Sequence, residues 1–520
     1  MSRIAAWAVE TPAGDAQSTY DALIGGTAQP GVLPDALLPL LIRLGETALG
    51  SAGGLPPALV LLATAKGDLP LWISSILATD DGADQADGPA GGPAWLAHRL
   101  GEAFGCPAYA VSGACASGPL ALIEAGRIIA HGQARRVLVL GGDRLAPFVS
   151  EGFAGLKATD PRSCRPFAGD RGGTVLSETA AAIVIDDGSG PLHLQGWGQS
   201  LDAHHLTGPC RDGAGLVRAC TIACRDLADL RPGVVIAHGT ATRANDEAEA
   251  AAYASWCPGV PITAWKDGLG HSLGASGLTE VALAAQAWVH NGGRLPGVQG
   301  SPRGGTLAPV NVLPAGGHVV PGPWISTNAG FGGINGAVLL GAVPATRPSA
   351  IVCAAQMQVT ARTAIDCDTD GRIPRLTARQ VTGELDPSWG RMDRASRALV
   401  ALGLRLGPWP AASAMILVTT QGCAETDHAF ERSRLAGQPD WQTFAYTLAS
   451  APLGEASIRL KLHGAGLALL GATDDQARAA ARRLLSEGAP AVFLARIETT
   501  LDGQGECAWA ERLVLTSVTL

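Results

Sequence analysis

Short apolar runs alternate with helical patterns along the first third of this 520-residue chain. Few fold classes have strands and helices that alternate in this way. Residues 58–63 (ALVLLA) and 136–140 (RVLVL) are typical of buried strands. The alternation predicts an α/β fold with layers around a largely parallel sheet. Turn-forming residues predict an exposed loop at 79–93, a boundary between two halves of one domain at 187–191 (DGSGP), and an interdomain linker at 343–349 (VPATRPS).

Composition excludes several classes of function. The net charge of -8, the pI near 5.8 and the small number of lysines argue against a surface for nucleic acid. No apolar run reaches the ~18 residues of a membrane span, and the N-terminus lacks the pattern of a signal peptide, so a cytoplasmic protein is expected. Eleven cysteines without CxxC pairs predict neither a disulfide framework nor a metal site.

One cysteine lies among small residues directly before an apolar helical pattern. It is Cys115, in residues 111–132 (VSGACASGPLALIEAGRIIAHG), and Gly132 predicts the end of that helix. The positive end of a helix favours the thiolate, which is the nucleophilic form, and Gly113 and Gly118 permit a tight backbone. A small, buried cysteine without a function is the alternative interpretation.

A first histidine lies at the end of a predicted strand. In residues 236–250 (IAHGTATRANDEAEA), His238 enters a loop of small hydroxyl residues, and Asn245 and Asp246 are expected to cap the helix that follows. A histidine that only satisfies its own loop is the alternative interpretation. His238 is therefore a candidate for chemistry only in combination with other residues.

A second histidine and a glycine-rich loop follow. Residues 263–280 (TAWKDGLGHSLGASGLTE) place Lys266 and His271 on either side of a glycine turn, and residues 326–336 (STNAGFGGING) crowd glycines around Phe331. Glycines in such a loop let backbone N–H groups approach a ligand oxygen closely. The sequence thus offers a nucleophile, two imidazoles and an oxyanion-binding loop.

These motifs, in this order, resemble the β-ketoacyl-acyl-carrier-protein synthase family over residues 1–345. The matching pieces are GACASG, CRPFAGDRGG, HGTAT, KDGLGH and GFGGIN. The resemblance implies a thiolase-like five-layer αβαβα fold, usually found as a dimer. The combination of Cys115, His238 and His271 resembles the elongating branch, which uses Cys, His and His. The sequences at 171–173 (RGG) and 177–179 (SET) depart from the family, so the loop geometry there is expected to differ.

The resemblance also implies roles. Cys115 would accept an acyl group from a carrier thioester, with the backbone N–H groups of Cys115 and Phe331 as the oxyanion hole, and His238 and His271 would stabilise the enolate of a malonyl thioester. An ion pair of Lys266 with Glu249 would orient the histidines, and a salt bridge without consequence is the alternative. The remaining residues carried over by the match support the histidine loop or the gating loop of Phe331: Glu249, Asp246, Thr240, Thr242, Gly330, Gly332 and Asn335.

The same resemblance implies the partners. No metal or bound cofactor is expected, because phosphopantetheine arrives on the acyl carrier protein together with malonyl and acyl thioesters. The implied reaction is a decarboxylative condensation in fatty acid, polyketide or aryl-polyene-type biosynthesis, by a homodimer or heterodimer. Carrier proteins are acidic, so Arg135, Arg136 and Arg171 are candidates for a docking patch. The alternatives are a non-condensing partner similar to a chain-length factor and a malonyl-carrier decarboxylase.

The last third of the chain resembles the first. Residues 414–422 (AMILVTTQG) are similar to 58–67 (ALVLLATAKG), an offset of about 355 residues that places the counterpart of Cys115 near Gly471, where no strong nucleophile lies. We therefore expect an additional C-terminal α/β half-domain at 350–520, a degenerate copy similar to a truncated chain-length factor, although chance likeness is the alternative. The catalytic part then divides into 1–190, which carries the cysteine, and 191–345, which carries both histidines.

Overall fold

The computed structural model describes residues 2–78, 89–227, 231–299, 307–344 and 356–516. Most of the exposed loop expected at 79–93 and most of the linker expected at 343–349 lie outside these residues. Within them, no helix has both the length and the apolar character needed to cross a bilayer.

Helices and strands alternate from the beginning of the chain, as the apolar runs predict. The strands of the first two thirds are β1 (Arg3–Glu10), β2 (Leu59–Ala63), β3 (Ala108–Ser112), β4 (Arg136–Gly142), β5 (Ala180–Asp186), β6 (His193–Leu201), β7 (Val234–Ile236), β8 (Pro261–Thr263), β9 (Arg294–Pro296), β10 (Asn311–Val312), β11 (Gly317–Val319), β12 (Trp324–Gly330) and β13 (Ile334–Gly341). The helices of this part are α1 (Ala16–Gly25), α2 (Leu37–Ser51), α3 (Leu69–Ala78), α4 (Pro93–Phe104), α5 (Ser117–Ala130), α6 (Pro147–Gly155), α7 (Ala214–Ala223), α8 (Arg243–Trp256), α9 (Lys266–Leu269) and α10 (Ser276–His290), with a 3₁₀ turn at Leu273–Ala275.

The last third of the chain continues the same alternation. Its strands are β14 (Gln356–Ile365), β15 (Ala414–Thr419), β16 (Gly466–Leu470), β17 (Val492–Glu498) and β18 (Cys507–Thr516). Its helices are α11 (Ala378–Thr382), α12 (Arg394–Leu406), α13 (Ala424–Leu435), α14 (Trp441–Phe444), α15 (Ala451–Leu460) and α16 (Asp474–Ser486), with a 3₁₀ turn at Trp389–Arg391.

Two strand sets and three helix layers form the first two thirds. The first set has the order β1-β5-β4-β2-β3 and the second has β6-β13-β12-β7-β8-β10. Helices α2 and α4 cover the outer face of the first set, α7 and α8 lie on the second, and α5 and α10 pack between the two sets. The chain therefore has the five-layer αβαβα architecture of the thiolase fold.

The expectation of a largely parallel sheet was only partly right. Strand β2 is parallel to β3 and β4, whereas β5 is antiparallel to both β1 and β4, and β13 is antiparallel to both of its neighbours. Short runs such as AAAIVID in β5 are buried on both faces, so their residue pattern does not distinguish the two directions.

Helix α5, which begins just after Cys115, is the centre of the molecule. Every one of its residues is buried, including the charged Glu124 and Arg127. A helix that is apolar nearly all round is stable only when protein surrounds it. The turn in front of α5 is thereby held between both strand sets.

The last third repeats the first strand set in mirrored order. Strands β14-β18-β17-β15-β16 follow the same sequence of neighbours and directions as β1-β5-β4-β2-β3, and the two sets join where β16 pairs antiparallel with β3. The register pairs Leu469 with Val111. One hydrophobic core runs across this junction, since it includes Leu61 on one side and Leu417 on the other.

Buried charges cross the same junction. On α16, Arg483 forms an ion pair with Glu124 of α5, and Lys66 is paired at 2.5 Å with Asp427 of α13. Buried ion pairs are costly unless both partners are in place, so these contacts tie the last third to the rest in one arrangement.

Candidate active site

The nucleophile turn connects β3 to α5 and holds Cys115, which is 7% exposed. Its left-handed residue is Ala114, with φ of 53°. The hydroxyl of Ser117 accepts a hydrogen bond from the Gly113 N–H at 2.9 Å and donates to the Ala114 carbonyl at 2.7 Å. A strained, non-glycine residue persists only where the surroundings fix it, and the Ser117 clamp supplies that constraint.

The glycines of this turn act differently from the sequence-based expectation. A Cβ on Gly113 would lie 2.3 Å from Leu120 Cδ1, and one on Gly118 would lie 2.4 Å from the backbone nitrogen of Leu278. Neither glycine has a left-handed backbone. Gly113 leaves room for the Leu120 side chain of α5, and Gly118 lets the backbones of α5 and α10 approach each other. This close packing holds the turn in place.

His238 follows β7, and its backbone is held by a buried carboxylate. Glu249 accepts hydrogen bonds from the N–H groups of His238 at 2.9 Å and Gly239 at 2.8 Å, and also from the side chains of Asn245 and Tyr253. Burial raises the pKa of Glu249, while these donors lower it. The role of Glu249 is therefore to shape the histidine loop.

The predicted helix caps, Asn245 and Asp246, were wrong by three and four residues. Helix α8 is capped by Thr242, whose hydroxyl accepts from the Asn245 N–H. Asp246 is instead fully buried and accepts from the N–H groups of Phe167 at 2.7 Å and Ala241 at 3.1 Å, which binds the CRPFAGDRGG segment to the histidine loop. Burial, followed by the neighbouring Glu249 carboxylate, raises the pKa of Asp246 to about 7.

His271 meets the cysteine directly. Its Nε2 lies 3.1 Å from Cys115 Sγ, and its Nδ1 lies 3.0 Å from the hydroxyl of Ser276. The rings of His238 and His271 cross nearly at right angles with centroids 5.4 Å apart. The three side chains that the sequence singled out thus converge from distant parts of the chain.

The partner predicted for Lys266 was wrong. Lys266 is completely buried and its Nζ forms an ion pair with Glu280 Oε1 at 2.5 Å, not with Glu249. The second oxygen of Glu280 accepts from Asn328 Nδ2 at 3.1 Å, and the same nitrogen lies 3.0 Å from His238 Nδ1. Glu280 and Asn328 were not predicted. A single acidic residue in the apolar run of α10 was the signal for Glu280, while nothing in the local sequence marks Asn328.

The electrostatics of the buried side chains do not support the expectation that the helix end favours the thiolate. Burial raises the pKa of the Cys115 thiol to about 12, although the Lys266 ammonium lowers it. Burial, followed by Lys266, lowers the pKa of His271 to about 3, and burial, Lys266 and His271 together hold the pKa of His238 well below its usual value. Desolvation disfavours every charged form, so the resting site holds a neutral thiol and two neutral imidazoles.

The glycine-rich loop between β12 and β13 closes over the cysteine turn. A Cβ on Gly330 would lie 2.2 Å from the carbonyl oxygen of Gly113, and both Gly332 and Gly333 have left-handed backbones. Asn335 donates to the Gly333 carbonyl at 3.3 Å and to Asp202 at 2.8 Å, so it braces the loop. The close approach brings the loop against the cysteine turn. The role of the backbone N–H groups of Cys115 and Phe331 as an oxyanion hole stays a prediction.

An aromatic pair closes the site on one side. Phe331 stacks on Phe153 with centroids 5.7 Å apart and planes inclined by 17°, and Phe153 meets the His271 ring edge-on at 6.2 Å. Phe153 also contacts Phe444, which belongs to the last third of the chain. The predicted gating aromatic is therefore part of an aromatic cluster that both parts of the chain build.

Two cavities meet at the cysteine. The larger has a volume of about 430 Å³ and opens to solvent; Cys115, His238, His271, Thr240, Thr242 and Phe331 line it, together with the exposed cations Lys157 and Arg243. The smaller, of about 20 Å³, lies on the other side of Cys115 between Phe153, Phe331, Phe444 and Leu448. The site thus has a wide entrance and a nearly filled apolar end.

The predicted docking arginines do not surround this entrance. Arg136 begins β4 and Arg135 directly precedes it, at the strand end away from the cysteine turn, and Arg136 contacts Asp186. Arg171 is buried against Asp246 and Glu247. The exposed cations beside the cavity, Lys157 and Arg243, were missed because single cations carry no pattern.

Comparison with known proteins identifies two domains. Residues 78–189 match the beta-ketoacyl synthase N-terminal domain and residues 193–292 match the beta-ketoacyl synthase C-terminal domain. The chain is 32% identical over 197 residues to 3-oxoacyl-[acyl-carrier-protein] synthase 2 of Synechocystis sp., which covers 34% of this chain and 47% of that protein. It is 35% identical over 215 residues to a protein named as an oxytetracycline polyketide beta-ketoacyl synthase from Streptomyces rimosus, covering 37% and 49%.

The chain thus spans about half the length of the curated relatives that it matches. Among solved structures, it resembles the PfaC keto synthase-chain length factor with a TM-score of 0.74 and 13% identity, over 100% of this chain and 79% of that one. This likeness shows the fold, and it includes the last third of the chain.

Proposed function

We propose that this chain, a member of the β-ketoacyl synthase family through residues 78–189 and 193–292, is a condensing enzyme. It would join an acyl group on Cys115 to a malonyl thioester carried by an acyl carrier protein. The observation that carries the proposal is the 3.1 Å contact between Cys115 Sγ and His271 Nε2, with the His238 ring beside them in one open cavity. A structural cysteine would not need two neutral imidazoles around it.

The first half-reaction loads the cysteine. The thiol proton passes to His271 Nε2 as the sulfur attacks the thioester carbonyl, the C–S bond to the carrier breaks, and the carrier leaves as a thiol after taking up the proton. Because burial raises the pKa of the thiol and lowers that of His271, we expect the proton transfer to accompany the attack on a bound thioester. Water and small electrophiles therefore meet a poorly reactive sulfur.

The second half-reaction forms the carbon–carbon bond. Malonyl thioester loses carbon dioxide, and the electrons of the broken C–C bond form an enolate whose oxygen His238 and His271 would stabilise by hydrogen bonds. The enolate carbon attacks the acyl carbonyl and the bond to Cys115 breaks. The sulfur leaves as a thiolate and takes one proton from solvent, which replaces the proton that the loading step gave to the carrier thiol. The product is a β-ketoacyl thioester on the carrier.

The last third of the chain is proposed to act as a built-in partner subunit, similar to a chain-length factor. Three observations support this: its strand set mirrors that of the catalytic part, β16 occupies the edge of β3, and Phe444 and Leu448 close the smaller cavity beside Cys115. Because β16 pairs with β3, a second copy of the chain is not needed to cover that strand. An active sample that native mass spectrometry shows to be a 52.8 kDa monomer would support the proposal.

The pathway and carrier belong to the proposal as well. One named relative is a 3-oxoacyl-[acyl-carrier-protein] synthase and another is a polyketide beta-ketoacyl synthase, so we place this chain in fatty acid or polyketide biosynthesis. The entrance cations Lys157 and Arg243 suit an acidic carrier or the phosphate of its phosphopantetheine. The alternatives are a non-condensing partner and, with one observation in its favour, malonyl-carrier decarboxylation alone. The small size of the second cavity favours that alternative, because an acyl chain on Cys115 needs room.

The test is an assay with the purified protein. Acyl- and malonyl-loaded carrier proteins are supplied together, and the products are measured by mass spectrometry. A condensing enzyme yields acyl-Cys115 and a β-ketoacyl carrier two carbons longer than the acyl donor. Carbon dioxide and acetyl carrier without any acyl-Cys115 would instead establish a decarboxylase, and no turnover with any pair of carriers would establish a scaffold.

A further inference from the structure

The Nδ1 atom of His238 has a polar contact that determines which ring nitrogen carries the proton. Asn328 lies near the end of β12, completely buried, and its Nδ2 is 3.0 Å from His238 Nδ1. The same Nδ2 is 3.1 Å from Glu280 Oε2. The amide nitrogen of Asn328 therefore contacts both an imidazole and a carboxylate.

The orientation of the Asn328 amide is determined by its neighbours. Glu280 is ion-paired with Lys266 at 2.5 Å, so its carboxylate is ionised and can only accept hydrogen bonds. The opposite arrangement would place the amide oxygen against that carboxylate. The oxygen instead faces Gly277, where a Cβ would lie 2.3 Å from it, and it has no hydrogen-bond partner among the described residues. The amide NH₂ group therefore faces both Glu280 and His238.

The consequence for His238 follows from counting hydrogens. An NH₂ group has two N–H bonds, of which one points to Glu280 and the other to His238 Nδ1. The Nδ1 atom must then accept, so the single proton of the neutral ring is on Nε2. The relay Lys266–Glu280–Asn328 thus determines which tautomer His238 adopts.

His271 is not restricted in this way. Its Nδ1 contacts the hydroxyl of Ser276, which can donate or accept, so His271 can carry its proton on either nitrogen. This choice between two tautomers suits His271 as the ring whose Nε2 receives the cysteine proton. The single tautomer of His238 suits a ring whose Nε2–H always donates a hydrogen bond.

We infer that Asn328 is a positioning residue that holds His238 in the tautomer with the proton on Nε2. The tautomer itself is independent of the proposed function. The use of that N–H as a donor to the malonyl thioester oxygen rests on the proposed function, and it assigns His238 to decarboxylation and not to the loading of Cys115.

The test compares Asn328→Asp with the wild-type chain and with Ser326→Ala. Asn328→Asp keeps the shape and replaces the donor by an acceptor, whereas Ser326 lies buried on the same strand with no hydrogen-bond partner among the described residues. The full-length chain is labelled with ¹⁵N-histidine, and His238→Gln identifies the ring. Two-bond ¹H–¹⁵N spectra, without any substrate, then show which nitrogen is protonated.

The expected result is a proton on Nε2 of His238 in the wild type and in Ser326→Ala, and a proton on Nδ1 in Asn328→Asp. With malonyl carrier, Asn328→Asp is expected to lose decarboxylation by ~10²-fold while loading of Cys115 changes by less than about threefold. A proton on Nδ1 in the wild type, or an unchanged spectrum in Asn328→Asp, overturns the inference.

A second variant covers the case that Asn328→Asp does not fold. Glu280→Gln removes the charge that orients the amide, and it is expected to give a mixture of both His238 tautomers. A single Nε2 tautomer in Glu280→Gln would also overturn the inference. If the wild type shows the expected spectrum but no condensation with any carrier, the proposed function fails while the role of Asn328 stands.

Discussion

The turn after β3 and the turn after β16 occupy corresponding places in the two mirrored strand sets, yet only the first is surrounded by catalytic side chains. Residues 113–116 hold Cys115 against His271, whereas the shorter turn 471–473 leads into a capping box in which Thr473 accepts from the Gln476 N–H. Gly471 takes the left-handed conformation that Ala114 takes in the first turn.

The comparison shows that a strand-to-helix turn alone does not make a site. The histidines and the glycine-rich loop that surround Cys115 come from residues 193–344, and the described part of the last third, 356–516, mirrors only β1 to β5. The last third lines the smaller cavity beside Cys115 with Phe444 and Leu448. In its own turn, the hydroxyl of Thr473 caps α16. The same local fold therefore serves catalysis on one side and support on the other.

The most direct way to break this comparison is to remove each turn's distinctive side chain. Cys115→Ala is expected to reduce condensation by at least ~10³-fold, because no other described cysteine faces the histidines. The matched variant Thr473→Ala should leave condensation unchanged and lower the free energy of unfolding by about 1 kcal/mol through loss of the cap. Product formation by mass spectrometry and urea unfolding measure the two effects. Equal loss of activity in both variants would contradict the comparison.

Alkylation can test whether the thiol of Cys115 in the first turn has a raised pKa. Burial places the pKa of Cys115 at about 12, above the ordinary thiol value of ~8.5, so the thiolate fraction rises about tenfold per pH unit throughout the accessible range. Alkylation of Cys115 by iodoacetamide should therefore increase by ~10³-fold from about pH 7 to about pH 10 without a plateau. Peptide mapping follows Cys115 alone, with a free cysteine peptide as the control. A plateau below about pH 8 would show that Lys266 and the N-terminus of α5 outweigh burial.

The junction between the two strand sets is tested by its buried ion pair. Arg483→Met leaves Glu124 buried without its ion-pair partner and with only the hydrogen bond from Tyr109, and we expect a loss of ~3 kcal/mol or more in the free energy of unfolding. The exposed pair of Arg99 with Glu102 is the control, because Arg99→Met should cost less than about 1 kcal/mol. The double variant Arg483→Met with Glu124→Gln should recover part of the loss. An effect of Arg483→Met no larger than that of Arg99→Met would show that the junction is loose.

The smallest expected effect concerns the wall that the last third supplies. Phe444→Leu shortens a side chain that contacts Phe153 beside Cys115, and it should enlarge the cavity of about 20 Å³. For two acyl carriers that differ by two CH₂ groups, we expect the ratio of Cys115 loading with the longer over the shorter chain to rise by about tenfold. Each buried CH₂ group is worth ~0.8 kcal/mol, and about 1.4 kcal/mol corresponds to a factor of ten. Competition between two acyl carriers, read by mass spectrometry, measures the ratio. Val32→Ala, at an exposed position, is the control.

Much of the site could be predicted from the chain itself. Cys115, His238 and His271 each lie in a loop whose small residues stand out from apolar surroundings, and the matching order of the motifs linked them. The exposed cations of the entrance and the amide of Asn328 could not be predicted, because a single polar residue without a pattern has the same appearance anywhere in a sequence. The role of Gly118 was misjudged for a related reason: close contact with Leu278 involves a helix that is distant in sequence.

The sequence alone determined the α/β class, the repeat between the first and last thirds, and the residue types available for nucleophilic chemistry, because apolar periodicity and motif order are local properties. Only the tertiary structure decided that Lys266 pairs with Glu280 and not with Glu249, that β16 joins β3, and that burial raises the pKa of Cys115. Each of these depends on which groups packing brings within a few ångströms and how much water it removes, and neither quantity is encoded in any one segment of the chain.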